Sequence, residues 1–155
     1  MINKNIVPFM VGFISSAILC YLLLFWIPSF TGLSTLEINP PSNYVDEEDI
    51  IIMNDRIILK IPNATLSNYK DTGSMGPFLN GDANGIRVVP SSEEDINVGD
   101  IISYRVVDFL VVHRVVEKGY DDDGIYFITQ GDTNLINDGK IRFSDIEYVT
   151  IGILW

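Results

Sequence analysis

The residues of this 155-residue chain best suited to catalysis are one serine, one histidine and two aspartates. Ser74 lies in a glycine-flanked turn, where a hydroxyl is exposed and close to backbone N–H groups that can stabilise an oxyanion. His113 is the only histidine, and a neutral imidazole is the usual base for a serine hydroxyl. Asp132 and Asp138 are both candidates for the carboxylate that orients the imidazole. These residue types predict a serine nucleophile activated by a histidine.

The turn that carries the serine has the sequence Gly73-Ser74-Met75-Gly76-Pro77. The two glycines permit backbone conformations that a β-carbon would forbid, and the proline restricts how the chain leaves the turn. We expect backbone N–H groups at Ser74 or its neighbour Met75 to form part of an oxyanion hole, with Gly73 supporting the turn. The alternative is an ordinary loop serine, since Gly-Ser pairs are common in loops.

The histidine and the two aspartates also have structural explanations. His113 lies in a Val-rich run and shares one face of the predicted strand with Val111 and Val115, so it could be a core histidine. Asp132 and Asp138 each lie in a turn-like sequence, where an aspartate often caps its own turn. A loop after the preceding strand would nevertheless bring both carboxylates towards one site, and either could orient His113.

Short runs rich in Val, Ile and Tyr, separated by turn residues, predict an all-β domain. The predicted strands are 50–61, 85–89, 100–107, 110–117, 124–130 and 143–154. No segment between them has the length and period of a helix, although 74–79 could form a single turn. We therefore expect a mainly β fold, in which antiparallel strands form a small barrel-like or folded sheet.

An uncharged apolar segment precedes this domain. Residues 6–27 would reach roughly 33 Å as a helix, about the thickness of the hydrocarbon core of a bilayer. They predict one transmembrane helix; a cleaved secretory signal is the alternative, but its apolar region is usually shorter. The resulting organisation is a cytoplasmic tail at 1–5, the helix at 6–27, a juxtamembrane linker at 28–48 and the catalytic domain at 49–155. Lys4, the only cation before the helix, favours a cytoplasmic N-terminus and an extracytoplasmic domain.

Composition excludes several other classes of protein. Ten basic against 21 acidic residues give a formal net charge of −11, which argues against nucleic acid or an anionic lipid surface as a partner. The acidic runs lack the spacing of a calcium loop, and we expect no metal and no cofactor. Cys20, the single cysteine, excludes an internal disulfide.

Three short sequence motifs, called boxes below, contain the candidate site residues. Taken together, they resemble the type I signal peptidases, in particular their archaeal and endoplasmic-reticulum branch. The boxes that carry this resemblance are Gly73-Ser74-Met75-x-Pro77 with Gly81-Asp82, then Val112-His113-Arg114-Val115, then Gly131-Asp132-x-Asn134-x-x-x-Asp138. They keep the family order and span about residues 71–142. The family usually has glutamate at the position of Gly76.

The resemblance implies a role for each matching residue. Ser74 matches the nucleophile and His113 the general base, where the bacterial branch uses a lysine. Asp138 matches the aspartate usually assigned to the triad, and Asp132 a second carboxylate that supports activity. The implied function is a membrane-bound serine endopeptidase that removes signal peptides from exported preproteins after small residues. Its partners would be those signal peptides and the lipid bilayer, and the need for additional membrane subunits stays open.

Two alternatives to this function remain at the sequence level. The chain could be a dedicated-substrate or inactive relative that binds extended peptides as a subunit of an assembly. It could also be a structural, membrane-anchored β domain whose glycines and aspartates only build turns. The distance between Ser74 and His113 discriminates between the catalytic and the structural hypothesis.

Overall fold

A computed structural model describes residues 38–155. This part of the chain forms one compact unit, Ile38–Trp155, whose regular secondary structure is mainly β-strand. The predicted tail at 1–5, the predicted transmembrane helix at 6–27 and the first part of the predicted linker lie outside the described residues. Within 38–155, no helix has the length and apolar character needed to cross a membrane.

Nine strands follow one another along the described chain. They are β1 (Ile50–Ile52), β2 (Ile57–Leu59), β3 (Thr65–Asn68), β4 (Asn84–Val88), β5 (Ile101–Val106), β6 (Phe109–Asp121), β7 (Gly124–Gln130), β8 (Lys140–Ile141) and β9 (Ile146–Leu154). Three single-turn 3-10 helices, Glu47–Asp49, Glu93–Asp95 and Phe143–Asp145, connect them. The prediction of a mainly β, antiparallel domain is confirmed.

The strands form two antiparallel sheets. Strands β1 and β2 make a separate hairpin, and the other seven form a sheet in the order β3-β4-β9-β5-β6-β7-β8. Within residues 38–155 no pairing joins β3 to β8, so this sheet is an open series and does not close into a complete barrel. Register shifts in β4–β9, β5–β9 and β6–β7 mark bulges, which bend and twist a sheet locally.

The buried residues form two clusters, because side chains alternate between the two faces of each strand. The larger cluster contains Ile96, Ile102, Tyr104, Val115, Phe127, Ile141, Ile146 and Val149. The smaller cluster contains Met75, Leu79, Ala83 and Ile101. Neighbouring residues Ile101 and Ile102 belong to different clusters because successive side chains of a strand point to opposite faces of the sheet. The Ser74 turn therefore packs on one face of β5 through Met75.

The segment before the hairpin is attached to the sheet through one buried carboxylate. Asp100, which is completely buried, accepts hydrogen bonds from the Ser42 backbone N–H at 2.6 Å and the Ser42 hydroxyl at 3.1 Å. It also accepts bonds from the Tyr44 hydroxyl at 3.2 Å and the Asn97 N–H at 2.8 Å. Burial and the negative charge of Asp100 raise the pKa of Tyr44, so its hydroxyl stays protonated and able to donate. Residues 38–48, which the sequence assigned to a linker, thus include contacts with the folded unit.

Candidate active site

Ser74 lies in the turn between β3 and β4, and the backbone of this turn is held by its own hydrogen bonds. The Gly76 N–H donates to the Gly73 carbonyl at 3.1 Å, and the Leu79 N–H donates to the Met75 carbonyl at 2.9 Å. Gly73 has a φ of 75°, in the left-handed region that favours glycine. Met75 is buried in the smaller core cluster, so its side chain anchors the turn while Ser74 remains partly accessible.

His113 lies in the middle of β6, opposite Ile102 of β5. Directly opposed residues of an antiparallel pair share a face, so the imidazole points to the face of the larger core cluster. The side chain is nearly buried, and its Nε2 lies 3.2 Å from Ser74 Oγ. The serine and the histidine, which are separated along the chain, are therefore within hydrogen-bond reach of each other.

Asp138 contacts the other nitrogen of the same imidazole. Its Oδ2 lies 2.6 Å from His113 Nδ1. An ionised carboxylate can only accept, so Nδ1 donates to it and Nε2 is left as the acceptor for the Ser74 hydroxyl. This is the tautomer that a general base for serine requires. The Thr72 hydroxyl, 3.2 Å from Ser74 Oγ, is a second polar neighbour of the nucleophile.

Two buried hydroxyls surround the carboxylate of Asp138. Thr129 Oγ1 donates to the same Oδ2 at 2.8 Å, and the Asp138 N–H donates back to the Thr129 carbonyl at 2.8 Å. The Tyr104 hydroxyl lies near Thr129 and Asp138, and both affect its pKa. Burial, and to a smaller extent the adjacent carboxylate, raises the pKa of Tyr104 above its ordinary value of 10.0, so the phenol stays protonated. The two hydrogen bonds with Thr129 fix the carboxylate relative to β7.

Asp132 occupies a different position from Asp138. It forms a bidentate ion pair with Arg114, with Nε to Oδ1 and NH2 to Oδ2 distances of 2.8 Å each. The third guanidinium nitrogen, NH1, donates to the Gly99 carbonyl at 2.8 Å. Arg114 follows His113 in β6 and therefore points to the opposite face. Asp138 thus lies against His113 on one face of the strand, and Asp132 lies against Arg114 on the other.

The loop between β7 and β8, residues 131–139, is hereafter called the site loop. It contacts the serine turn through its backbone and one threonine. The Thr133 N–H donates to the Ser74 carbonyl at 3.1 Å, and the Thr133 hydroxyl donates to the Gly73 carbonyl at 2.8 Å. A β-carbon at Gly131 would lie 2.7 Å from the Ser74 carbonyl oxygen, so only glycine permits this close approach. The loop that supplies both carboxylates is therefore also fastened to the nucleophile.

The turn also presents backbone donors for an oxyanion. Within residues 38–155, the N–H groups of Ser74 and Met75 have no intramolecular acceptor. Free N–H groups beside a nucleophile are the usual components of an oxyanion hole. These two N–H groups are therefore free to bind a ligand oxygen, and their role in an oxyanion hole stays a prediction.

The structure places all the predicted site residues in one region. Asp138 contacts His113, and Asp132 lies on the opposite face of β6. Sequence reasoning missed the contributions of Arg114, Thr129, Tyr104 and Thr133. The box Val112-His113-Arg114-Val115 contained Arg114, and a basic residue beside the only histidine was a signal for an acidic partner. In the part of the chain that the structure describes, no three His, Cys, Asp or Glu side chains gather as a metal site.

Comparison of the chain with protein-family models, with curated proteins and with solved structures finds no match. The function is therefore inferred from the geometry of the site and from the sequence boxes.

Proposed function

We propose that this protein is a membrane-bound serine endopeptidase that cleaves N-terminal signal peptides from exported preproteins after small residues. The observation that supports it best is the continuous hydrogen-bonded series from Ser74 Oγ through His113 to Asp138. Nucleophile, base and orienting carboxylate in this order are the arrangement that activates a serine hydroxyl. The barrel-like peptidase fold behind a transmembrane helix at 6–27, with the N-terminus cytoplasmic, belongs to the same proposal.

The first half of the reaction forms an acyl-enzyme. Ser74 Oγ attacks the carbonyl carbon of the scissile bond while its proton passes to His113 Nε2. The negative charge that develops on the carbonyl oxygen is stabilised by the free N–H groups of Ser74 and Met75. The C–N bond then breaks, and Nε2 returns the proton to the leaving amine.

The second half releases the signal peptide. Water donates a proton to Nε2 and attacks the ester carbonyl, and the proton then returns to Ser74 Oγ as the ester bond breaks. In both halves the imidazolium is stabilised by Asp138, whose carboxylate is kept in place by Thr129. No step requires a group other than the side chains and backbone described above.

The substrate class follows from the resemblance to the signal peptidases and from the predicted membrane anchor. An enzyme and a preprotein that are both held in one membrane meet at a higher effective concentration than in free solution. The order Ser, His, Asp along the chain also differs from the orders found in the common soluble serine proteases. These points favour a membrane-embedded preprotein over a soluble protein substrate.

The test is cleavage of a preprotein with an Ala-x-Ala site by the detergent-purified full chain. We expect cleavage by the parent protein, loss of cleavage in Ser74→Ala and in His113→Ala, and an N-terminus of the product directly after the small residue. Ser144→Ala, at an exposed position, is the matched control and should cleave normally. Cleavage by Ser74→Ala at the parent rate would exclude the mechanism.

A parent protein that cleaves no general preprotein would favour the dedicated-substrate enzyme or the inactive peptide-binding subunit. A measurement of peptide binding distinguishes these two proteins from a purely structural domain, because the dedicated-substrate enzyme and the inactive subunit would both still bind extended peptide. The geometry of Ser74 and His113 favours the catalytic hypothesis over the structural one.

A further inference from the structure

Two adjacent apolar side chains protrude from the site loop. Leu135 is 98% exposed and Ile136 is 79% exposed, and neither belongs to a core cluster. Their neighbours in the loop, Asn134 and Asn137, are polar, as is usual for a loop tip. Single exposed apolar residues are common on protein surfaces, but an adjacent pair on a loop that touches a nucleophile points to a binding role.

The tip of the site loop, formed by Leu135 and Ile136, is held in place by hydrogen bonds on both sides. On one side the Thr133 N–H bonds to the Ser74 carbonyl, and the Gln130 side chain donates to the Asn134 carbonyl at 2.5 Å. On the other side the Asp138 N–H bonds to the Thr129 carbonyl. Because these hydrogen bonds already order the loop, the loop loses less conformational entropy when a ligand binds to it.

We propose that Leu135 and Ile136 bind apolar side chains of the peptide substrate close to the scissile bond, an inference that rests on the proposed function. Leu135 follows Thr133 by two residues, so the tip begins within about 7 Å of the contact with Ser74. An extended peptide advances roughly 3.3 Å per residue, which puts the contacted side chains about two to four positions from the scissile bond.

Charge favours a peptide over a lipid surface as the occupant. The chain has a net charge of −11, which repels anionic lipid headgroups. The loop's two aspartates are both engaged, Asp132 with Arg114 and Asp138 with His113, so the tip itself offers apolar contact. A neutral peptide segment with apolar side chains is complementary to this surface.

The experiment measures peptide affinity without turnover, in the full-length Ser74→Ala protein at fixed detergent concentration. Two fluorescein-labelled peptides share the Ala-x-Ala cleavage site. One has leucine at x and at the residue directly before the first alanine, which are two and four residues from the scissile bond, and the other has serine at both positions. In the Ser74→Ala background, Leu135→Ser with Ile136→Ser should weaken binding of the leucine peptide about tenfold and change binding of the serine peptide less than about twofold.

The matched control is Ile52→Ser with Ile57→Ser. These side chains are 77% and 66% exposed, face each other across the β1–β2 hairpin and lie in neither core cluster. They should leave the affinity of both peptides unchanged. An unchanged affinity for the leucine peptide in the site-loop variant, or an equal loss in the control, would overturn the inference.

The binding assay separates this inference from the proposed function. Binding that depends on Leu135 and Ile136, in a parent protein that cleaves neither peptide, would sustain the inference and refute the general signal peptidase in favour of a dedicated-substrate enzyme or a peptide-binding subunit. Cleavage that depends on Ser74, with no dependence of binding on the loop tip, would refute the inference alone. Reconstitution of the full-length protein in phosphatidylcholine vesicles tests the other occupant. Fluorescence of a Leu135→Trp variant that brominated phosphatidylcholine quenches beyond the quenching of the parent protein, and that the leucine peptide does not change, would assign the tip to lipid and overturn the inference.

Discussion

Arg114 and Asp132 form a bidentate ion pair in which the two side chains are only 8% and 5% exposed. The pair lies on the face of β6 opposite to His113, and its third contact reaches the Gly99 carbonyl. It therefore ties the site loop to the strand that carries the histidine and to the turn before β5. Of the two candidate carboxylates, Asp132 is therefore the one positioned to stabilise the strands and the loop that surround the site.

Removal of one member of this pair is expected to destabilise the domain strongly. Asp132→Ala leaves the Arg114 guanidinium buried without its partner, and such losses cost about 3 to 5 kcal/mol of unfolding free energy. Urea unfolding measures this change. The double variant Arg114→Met with Asp132→Leu should lose much less, because no buried charge remains. Equal losses in the single and double variants would contradict a role for the pair as a unit.

Asp138→Asn is expected to act on catalysis and much less on stability. An amide at this position can donate to Nδ1 and so favours the wrong tautomer, which in a serine-histidine site lowers kcat by about a thousandfold to ten-thousandfold. The measurement is preprotein cleavage under saturating substrate. Asp108→Asn, in the exposed β5–β6 turn, is the control and should retain full activity. A near-normal kcat for Asp138→Asn would mean that another group orients the imidazole.

Thr129→Val tests the support of the Asp138 carboxylate. The substitution keeps the shape of a completely buried residue but removes the donor to Oδ2. Loss of a hydrogen bond to a charged group is expected to lower kcat about tenfold. Thr129→Ser retains the hydroxyl and should restore most of the activity, which a purely packing role for the residue would not predict.

Gly131→Ala should disrupt the junction between the site loop and the serine turn. The new β-carbon would be 2.7 Å from the Ser74 carbonyl oxygen, a backbone atom with little freedom to move. Overpacking of this kind costs about 1 to 3 kcal/mol, and the displaced loop should also lower kcat. Gly152→Ala in β9 is the matched control, since its β-carbon comes no closer than 3.4 Å to another atom and that atom belongs to the flexible Ile86 side chain. Equal stability and activity of both variants would show that the loop can shift without loss.

Alkaline solution should destabilise the folded domain. Burial raises the pKa of Tyr104 above its ordinary value of 10.0, so the folded state holds the phenolic proton more tightly than the unfolded state. The stabilisation is therefore complete below pH 10 and is lost as the pH rises above it. Thermal unfolding between pH 8 and pH 11 is expected to show a falling midpoint above about pH 10. Tyr104→Phe should show a shallower fall; an equally steep fall would assign the effect to other groups, such as Tyr44.

The strands with strong sequence signals were predictable, and the weak ones were not. Five of the observed strands, β4, β5, β6, β7 and β9, overlap predicted apolar runs. The predicted run 50–61 instead forms the β1–β2 hairpin, because the polar residues after Met53 make a turn. Strand β3 was missed because Thr65, Ser67 and Asn68 are polar, and β8 because it has only two residues.

The local parts of the site were also easier to predict than its long-range contacts. The serine turn and the lone histidine are visible as residue types in their own segments. The different contacts of Asp132 and Asp138 could not be predicted from the sequence, because they depend on which face of β6 each end of the site loop reaches. The contributions of Thr129 and Tyr104 depend on the register of three paired strands, which composition does not specify.

The buried carboxylate of Asp100 has a practical consequence for work on the isolated domain. A truncation that begins at residue 49, where the apolar strand pattern starts, would remove Ser42 and Tyr44. Asp100 would then lose the residues that cover it and keep only the Asn97 N–H as a hydrogen-bond donor. Asp100 also precedes β5 directly and follows Gly99, whose carbonyl receives Arg114. We therefore expect a fragment that keeps the geometry of the candidate site to begin before Ser42.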